Sequence, residues 1–348
     1  MFIQNPMENT PSKDTNEVWL AAYLYYAEPW EKLLREAVKP FIEEVMSQGK
    51  ASQYFFIRYW ENGPHIRLRF KGNEATLLNE VKPRLVAYFE AYFKASPSNR
   101  EEPAWLKEAD ESLQWYPNDS VQFIEYEPET PRYGGQHGLP IGEEHFMHAS
   151  KAILEVIAES DEWDYSRALG AGIQLHLGFV YGLEMSFQEG MDFFARVSKA
   201  WLPRAYYHWE KDITKEELKR REEEVLQAFE TNFNQQAEML VPFFNTVWNA
   251  LNEGVEFEQE WLNQWVKDVR STCHQLKDLQ AQKLLDAPQW TKRLDENPTF
   301  DAAHRERWSI YESYVHMVNN RLGIQNRDEA YLGYLMRKSF DALKSEYA

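Results

Sequence analysis

YFFIRYWENGPHIRLRFKG, residues 54–72, is the stretch from which the rest of the chain can be placed. It reads as a β-hairpin: an aromatic strand, the turn-forming run Glu61-Asn62-Gly63-Pro64, and a second strand of strict alternation. Along that second strand His65, Arg67, Arg69 and Lys71 point one way, and Ile66, Leu68 and Phe70 the other. The alternation fits the solvated outer face of a half-buried strand. It also fits an anion-binding row, because guanidinium groups grip carboxylates and phosphates through paired hydrogen bonds.

Upstream, residues 17–26 are an apolar, aromatic run of strand length. Residues 28–48 then repeat apolar side chains at helical spacing, and Pro40 within them predicts a kink or a break. Downstream, residues 75–94 show the same spacing with an internal Pro83, a short strand is expected at 112–116, and 120–126 alternates as another strand. The order strand, helix, strand, strand, helix, strand predicts an α+β protein with a ferredoxin-like βαββαβ antiparallel sheet. Such a sheet carries both helices on one face, which leaves His65, Arg67 and Arg69 on the other. From Gly142 onward the pattern is helical, with helices expected over 143–159, 165–185, 187–202, 214–252, 256–285, 303–322 and 328–345. The expected organisation is a disordered lead-in at 1–16, a sheet subdomain over 17–140 and a helical subdomain over 141–348, the last two forming one unit. No internal repeat is evident.

Composition narrows the function. The 348 residues carry 56 acidic against 38 basic side chains, a formal charge of −18. That balance argues against a nonspecific nucleic-acid binder, whose affinity comes from neutralising phosphates. No apolar run is long enough to cross a bilayer, and the polar N-terminus lacks the apolar core of a signal peptide. Cys273 is the single cysteine, so no intrachain disulfide and no cysteine-based metal site can form. These features point to a cytoplasmic protein that does not associate with membranes.

Other candidates lie farther along. In YEPETPRYGG (126–135), Arg132 and Tyr133 precede a double glycine that marks a tight turn. His145 and His148 lie three apart without motif-spaced partners and read as a helix-surface pair. His176, in a strongly apolar stretch, reads as a hydrogen-bonded core histidine. Phosphate-cradling glycine loops and nucleophile elbows are absent. SYVHMVNNRLGI (313–324) puts His316 one turn ahead of Asn320 and Arg321 on an amphipathic helix that ends at Gly323.

FFIRYWENGPHIRLRF, YEPETPRYGG and YVHMVNNRLGI, in that order, resemble the thiopeptide-type bacteriocin biosynthesis domain, the C-terminal elimination domain of class I lantibiotic dehydratases. In that family a large N-terminal domain transfers glutamate from glutamyl-tRNA to Ser or Thr of a precursor peptide. The C-terminal domain then eliminates it to leave dehydroalanine or dehydrobutyrine. The resemblance implies a standalone elimination protein that works on a glutamylated precursor peptide beside a separate glutamylating partner. It also implies no metal and no organic cofactor, no direct contact with nucleic acid, and a possible homodimer. It assigns Arg67, Arg69, Arg132 and His316 to catalysis, and Arg58, His65, Tyr133, Asn320 and Arg321 to substrate binding. The arginines would bind the glutamyl α-carboxylate and the charge developing on the leaving group, with His316 as general base or acid. Two positions depart from the family pattern: Ala149-Ser150 replaces an Asp-Ser pair, and Val318 replaces a polar residue. Standalone relatives include pyridine synthases, which join two dehydroalanines in a formal [4+2] cycloaddition. That activity, or a non-catalytic role in binding the precursor, is the alternative expectation.

Overall fold

The computed structural model describes residues 17–104, 106, 110, 113–207, 213–288 and 302–347. The expected lead-in at 1–16 lies outside them. Strands β2 (Gln53–Tyr59) and β3 (His65–Asn73) form the hairpin, in register from Gln53 opposite Lys71 to Tyr59 opposite His65. The turn closes because Asn62 and Gly63 take φ of 56° and 106°, a left-handed geometry that asparagine and glycine tolerate best. β1 (Glu17–Tyr25) pairs with the other side of β3, and β4 (Ser120–Phe123) pairs with β1. The sheet order is β2-β3-β1-β4, with every neighbouring pair antiparallel.

The alternation of β3 has a clear consequence. Ile66, Leu68 and Phe70 are fully buried beneath helices α1 (31–47) and α2 (74–95). Phe41 of α1 bridges the layers, its ring 5.9 Å from Phe70 and 5.5 Å from Phe89 of α2. His65, Arg67 and Arg69 emerge on the opposite face.

Neither proline breaks its helix. In α1 the turn Leu34–Val38 widens to a π-turn just ahead of Pro40, with Lys39 N–H donating to Leu34 O. In α2 the turn Leu77–Val81 widens ahead of Pro83, with Lys82 N–H donating to Leu77 O. A proline has no N–H to give and its ring crowds the carbonyl four residues back, so the wider turn absorbs both problems. The shared Val-Lys-Pro at 38–40 and 81–83 is a short likeness between the two helices that the sequence reading missed. The strand expected at 112–116 is not formed over its described residues 113–116. Tyr116 N–H instead donates to Asn62 O at 3.0 Å and ties that segment to the hairpin turn.

Seven helices follow among the described residues: α3 (Gly135–Ala158), α4 (Tyr165–Gly182), α5 (Phe187–Tyr206), α6 (Lys215–Glu253), α7 (Glu260–Ala281), α8 (Ala302–Leu322) and α9 (Asn326–Leu343). α3 starts earlier than expected and includes Pro140. Its entry needs glycine, since Gly134 and Gly135 have φ of 91° and 77°, and a Cβ on Gly138 would lie 2.3 Å from Tyr133 O.

The helical half grips the sheet at the edge of β2. Ser150 Oγ on α3 accepts from Phe56 N–H at 3.2 Å. Asn320 on α8 accepts from Arg58 N–H at 3.0 Å and donates to Arg58 O at 2.9 Å, in place of a neighbouring strand. Arg58 itself is buried, donating through Nε to Arg321 O at 2.9 Å and through Nη1 to Glu31 at 2.7 Å. Asn320→Ala leaves two backbone groups without partners at this joint. It is expected to lower the unfolding free energy by about 2–4 kcal/mol in urea titration; an unchanged midpoint would mean that the joint does not hold the halves together.

Candidate functional site

The basic face of β3 is built on aromatic supports. The Arg67 guanidinium lies 3.5 Å from the Tyr59 ring centre and 4.7 Å from that of Tyr23, and reaches Glu61 at 3.4 Å. Its Nε donates to His65 Nε2 at 3.1 Å, while His65 Nδ1 donates to Gly63 O at 2.8 Å. His65 is therefore the Nδ1–H tautomer and is buried under Arg67. Burial, helped by the two neighbouring arginines, brings its pKa down to about 4, so it is neutral at neutral pH.

Arg69 is more deeply set. Its guanidinium sits 4.3 Å from the Tyr126 ring centre and 5.1 Å from that of Phe55, and its buried Nε has no hydrogen-bond partner. Lys71, next in the row, faces Glu143 at 3.6 Å.

The other two blocks close over this face. Tyr133 is buried, stacked parallel to Tyr314 of α8 at 5.9 Å and edge-on to Phe146 of α3 at 4.8 Å. Burial pushes its phenol up to about 12, against the opposing pull of Arg132, Arg321 and Arg69. Three guanidinium groups from three separate blocks thus act on one hydroxyl. Arg321 is fully buried. It donates through Nε to Ser150 Oγ at 3.0 Å and through Nη1 to Met317 O at 2.8 Å, while Nη2 has no partner. Neither Arg69 nor Arg321 forms an ion pair with a carboxylate among the described residues. Burial lowers the proton affinity of both, yet an arginine holds its proton in protein interiors, so two charges lie buried without an opposite one.

Arg132 connects this cluster to the histidine. Its Nε donates to Ser313 Oγ at 3.1 Å, and Ser313 lies one turn ahead of His316 on α8. The His316 ring stacks on Trp201 of α5 with centres 4.5 Å apart. Its Nδ1 is 2.8 Å from Glu329 Oε1 on α9, and the other Glu329 oxygen accepts from Asn319 Nδ2 at 3.1 Å. Asn319 Oδ1 in turn accepts from His176 Nε2 at 2.8 Å. Glu329 is fully buried and its carboxyl is raised above the ordinary range, first by that burial. Sequence reasoning missed Glu329, which lies past the Gly323 turn on the next helix; an acidic residue beside Ala330, Leu332 and Gly333 on the apolar face of α9 was the available signal.

Of the residues singled out in the sequence, Arg69, Arg132, Tyr133 and Arg321 come together, and His316 follows them along α8. Arg67 faces the hairpin tip, with His65 beneath it. Arg58 and Asn320 sit in the joint between the halves instead of on an open surface. His145 is not on the helix surface as expected. It is fully buried, stacked on Tyr314 at 4.1 Å and tilted against Trp265 at 5.2 Å, because α3 is covered by the sheet on one side and α7 on the other. His176 is the bonded core histidine expected. Two recesses, of about 480 and 390 Å³, adjoin one another along α3 and α7 around His148, Lys151, Glu155 and Asp268, away from the basic row. No group of three or more potential metal ligands occurs among the described residues, and no helix there is long and apolar enough to cross a membrane.

Fold and site together define an α+β protein whose sheet presents a buried cationic face to a histidine-bearing helix. Residues 19–340 match the family described as lantibiotic biosynthesis dehydratase C-term, and the chain belongs to that family. It is 29% identical over 184 residues to the subtilin biosynthesis protein SpaB of Bacillus subtilis, a match covering 52% of this chain and 16% of SpaB. Among solved structures it is similar to TbtD, a pyridine synthase from thiomuracin biosynthesis (TM-score 0.70, 16% identity, 94% of this chain and 99% of TbtD). It is similar also to TsrL (TM-score 0.67, 15% identity, 94% and 96%). The tRNA-dependent lantibiotic dehydratase MibB of Microbispora sp. 107891 superposes with a TM-score of 0.55 at 18% identity, over 95% of this chain and 28% of MibB.

The buried histidines make stability depend on pH. His65 and His176 have folded-state pKa values near 4, below the ordinary 6.5, so the unfolded chain takes up protons first on acidification. Each is expected to remove up to about 1.4 kcal/mol of stability per pH unit between pH 6.5 and 4. Urea unfolding across that window measures it, and a flat profile would contradict the neutral, buried assignment.

Proposed function

We propose that this protein eliminates glutamate from glutamylated Ser or Thr of a precursor peptide, leaving dehydroalanine or dehydrobutyrine. The observation that carries the reading is the pair of buried guanidinium groups, Arg69 and Arg321, which lie beside Tyr133 and Arg132 and form no ion pair with a carboxylate among the described residues. A buried charge costs several kcal/mol unless it is paired, so such a site calls for an anionic ligand. The glutamyl group supplies one. Family membership supports the choice of substrate, and we read the sheet half as ferredoxin-like on its order β2-β3-β1-β4.

In this reading His316 takes the α-proton of the esterified residue. The electron pair of that C–H bond forms the Cα–Cβ double bond, the Cβ–O bond breaks, and glutamate departs as a carboxylate. Arg69, Arg132 and Arg321 stabilise the charge that develops on the leaving group, and Arg67 holds the peptide at the mouth of the site. Guanidinium groups remain charged at any working pH and suit this work better than proton transfer. The precursor peptide and a separate glutamylating protein are the partners this chemistry requires, with the cytoplasm as the compartment.

A [4+2] cyclase is the second reading. Its support is the likeness to the pyridine synthase TbtD along 99% of that chain, against 28% of the dehydratase MibB. A cyclase that joins two dehydroalanines has no glutamate to hold, which leaves the buried arginines without a ligand.

Incubation with a glutamylated precursor peptide is expected to release glutamate, followed by mass spectrometry. His316→Ala is expected to slow the release by about 10²–10⁴-fold, the usual worth of a positioned acid or base. Intact glutamylated peptide, together with a macrocycle from a peptide bearing two dehydroalanines, would overturn elimination in favour of the cyclase.

A further inference from the structure

We infer that Glu329 is the positioning residue that holds the His316 proton on Nδ1 and leaves Nε2 to accept one. This rests on the reading of His316 as the proton-transfer group. Glu329 offers its two oxygens to two donors, His316 Nδ1 at 2.8 Å and Asn319 Nδ2 at 3.1 Å, and forms no ion pair with an arginine or lysine among the described residues. A carboxylate in that setting is costly to bury, and what offsets the cost is the imidazole it faces.

The arrangement behind it has one consistent assignment of protons. Asn319 gives its amide hydrogen to Glu329, so its carbonyl must accept, and His176 Nε2 donates to it at 2.8 Å. His176 is fully buried and therefore neutral, so the line ends without a further charge. Trp201 fixes the plane of the His316 ring from one side. Nε2, the remaining nitrogen of His316, makes no hydrogen bond among the described residues. With Nδ1–H held by a carboxylate, Nε2 carries the lone pair, and the imidazolium formed after proton uptake is stabilised by the same contact.

Other charged groups lie around this pair among the described residues. Arg132 acts on Glu329 from the loop ahead of α3, and Arg204 lies 5.9 Å from the Trp201 ring centre on α5. Arg196 of α5 and Glu312 of α8 are paired with each other, Nη2 to Oε2 at 3.0 Å, one turn along α8 from His316. Among the described residues, Glu329 is thus the one carboxylate bonded to the imidazole.

Nitrogen-15 NMR of the histidines in the full chain reads the tautomer directly. The Nδ1–H form is expected for His316; the Nε2–H form would overturn the inference. In the elimination assay Glu329→Gln is expected to lower kcat by about 10- to 1000-fold with KM unchanged. A Glu329→Gln kcat equal to wild type, alongside an inactive His316→Ala, would overturn the positioning role and leave the reading of His316 standing. Undiminished elimination by His316→Ala would overturn both.

Discussion

Two guanidinium groups, buried without a carboxylate partner among the described residues, set the terms for the rest of this structure. Arg69 comes from a strand and Arg321 from the last turn of α8, 252 positions later in the numbering of the chain. Each charge carries a desolvation cost that ordinary packing does not offset. The fold meets part of it with aromatic faces, Tyr126 and Phe55 for Arg69 and Phe146 for Arg321. In the proposed reading the remainder is left for a ligand, in the way binding sites keep specificity at some loss of stability.

The joint at the edge of β2 makes that arrangement possible. Ser150 accepts both from Phe56 N–H and from Arg321 Nε, so one hydroxyl serves the sheet edge and the buried guanidinium together. Asn320 occupies the backbone of Arg58, the next residue but one along the strand, and its neighbour Arg321 is held in place as a result. α8 then runs from this joint back past Ser313, which Arg132 reaches, with His316 between. Arg321, the Asn320 attachment and His316 therefore share one helix, which in the proposed reading sets their geometry toward a developing charge.

Much of this was legible in the sequence where a simple period governs it. Alternation in β3 separated Ile66, Leu68 and Phe70 from the basic row, because a strand allows its side chains only two directions. Helical spacing likewise gave α8 and its polar face. Depth was not legible. His145 looked like a surface residue because a period of 3.6 identifies one buried stripe, whereas α3 is covered on two sides. The early start of α3 and the π-turns before Pro40 and Pro83 depend on backbone geometry that residue type only hints at. Arg58 and Asn320 are assigned to substrate binding by the resemblance, whereas the strand edge they close is a tertiary fact that no local pattern carries. Glu329 was hidden by distance, bonded to His316 across a turn between helices.

The central claim is that the two buried arginines await an anion, and thermal unfolding with and without L-glutamate tests it most directly. For the wild type, glutamate is expected to raise the midpoint, because a ligand that binds only the folded state stabilises it. Arg69→Met is expected to be at least as stable as wild type without the anion, since an unpaired buried charge has been removed, and to show no response to glutamate. An Arg69→Met variant that melts earlier than wild type yet responds to glutamate as the wild type does would contradict the account.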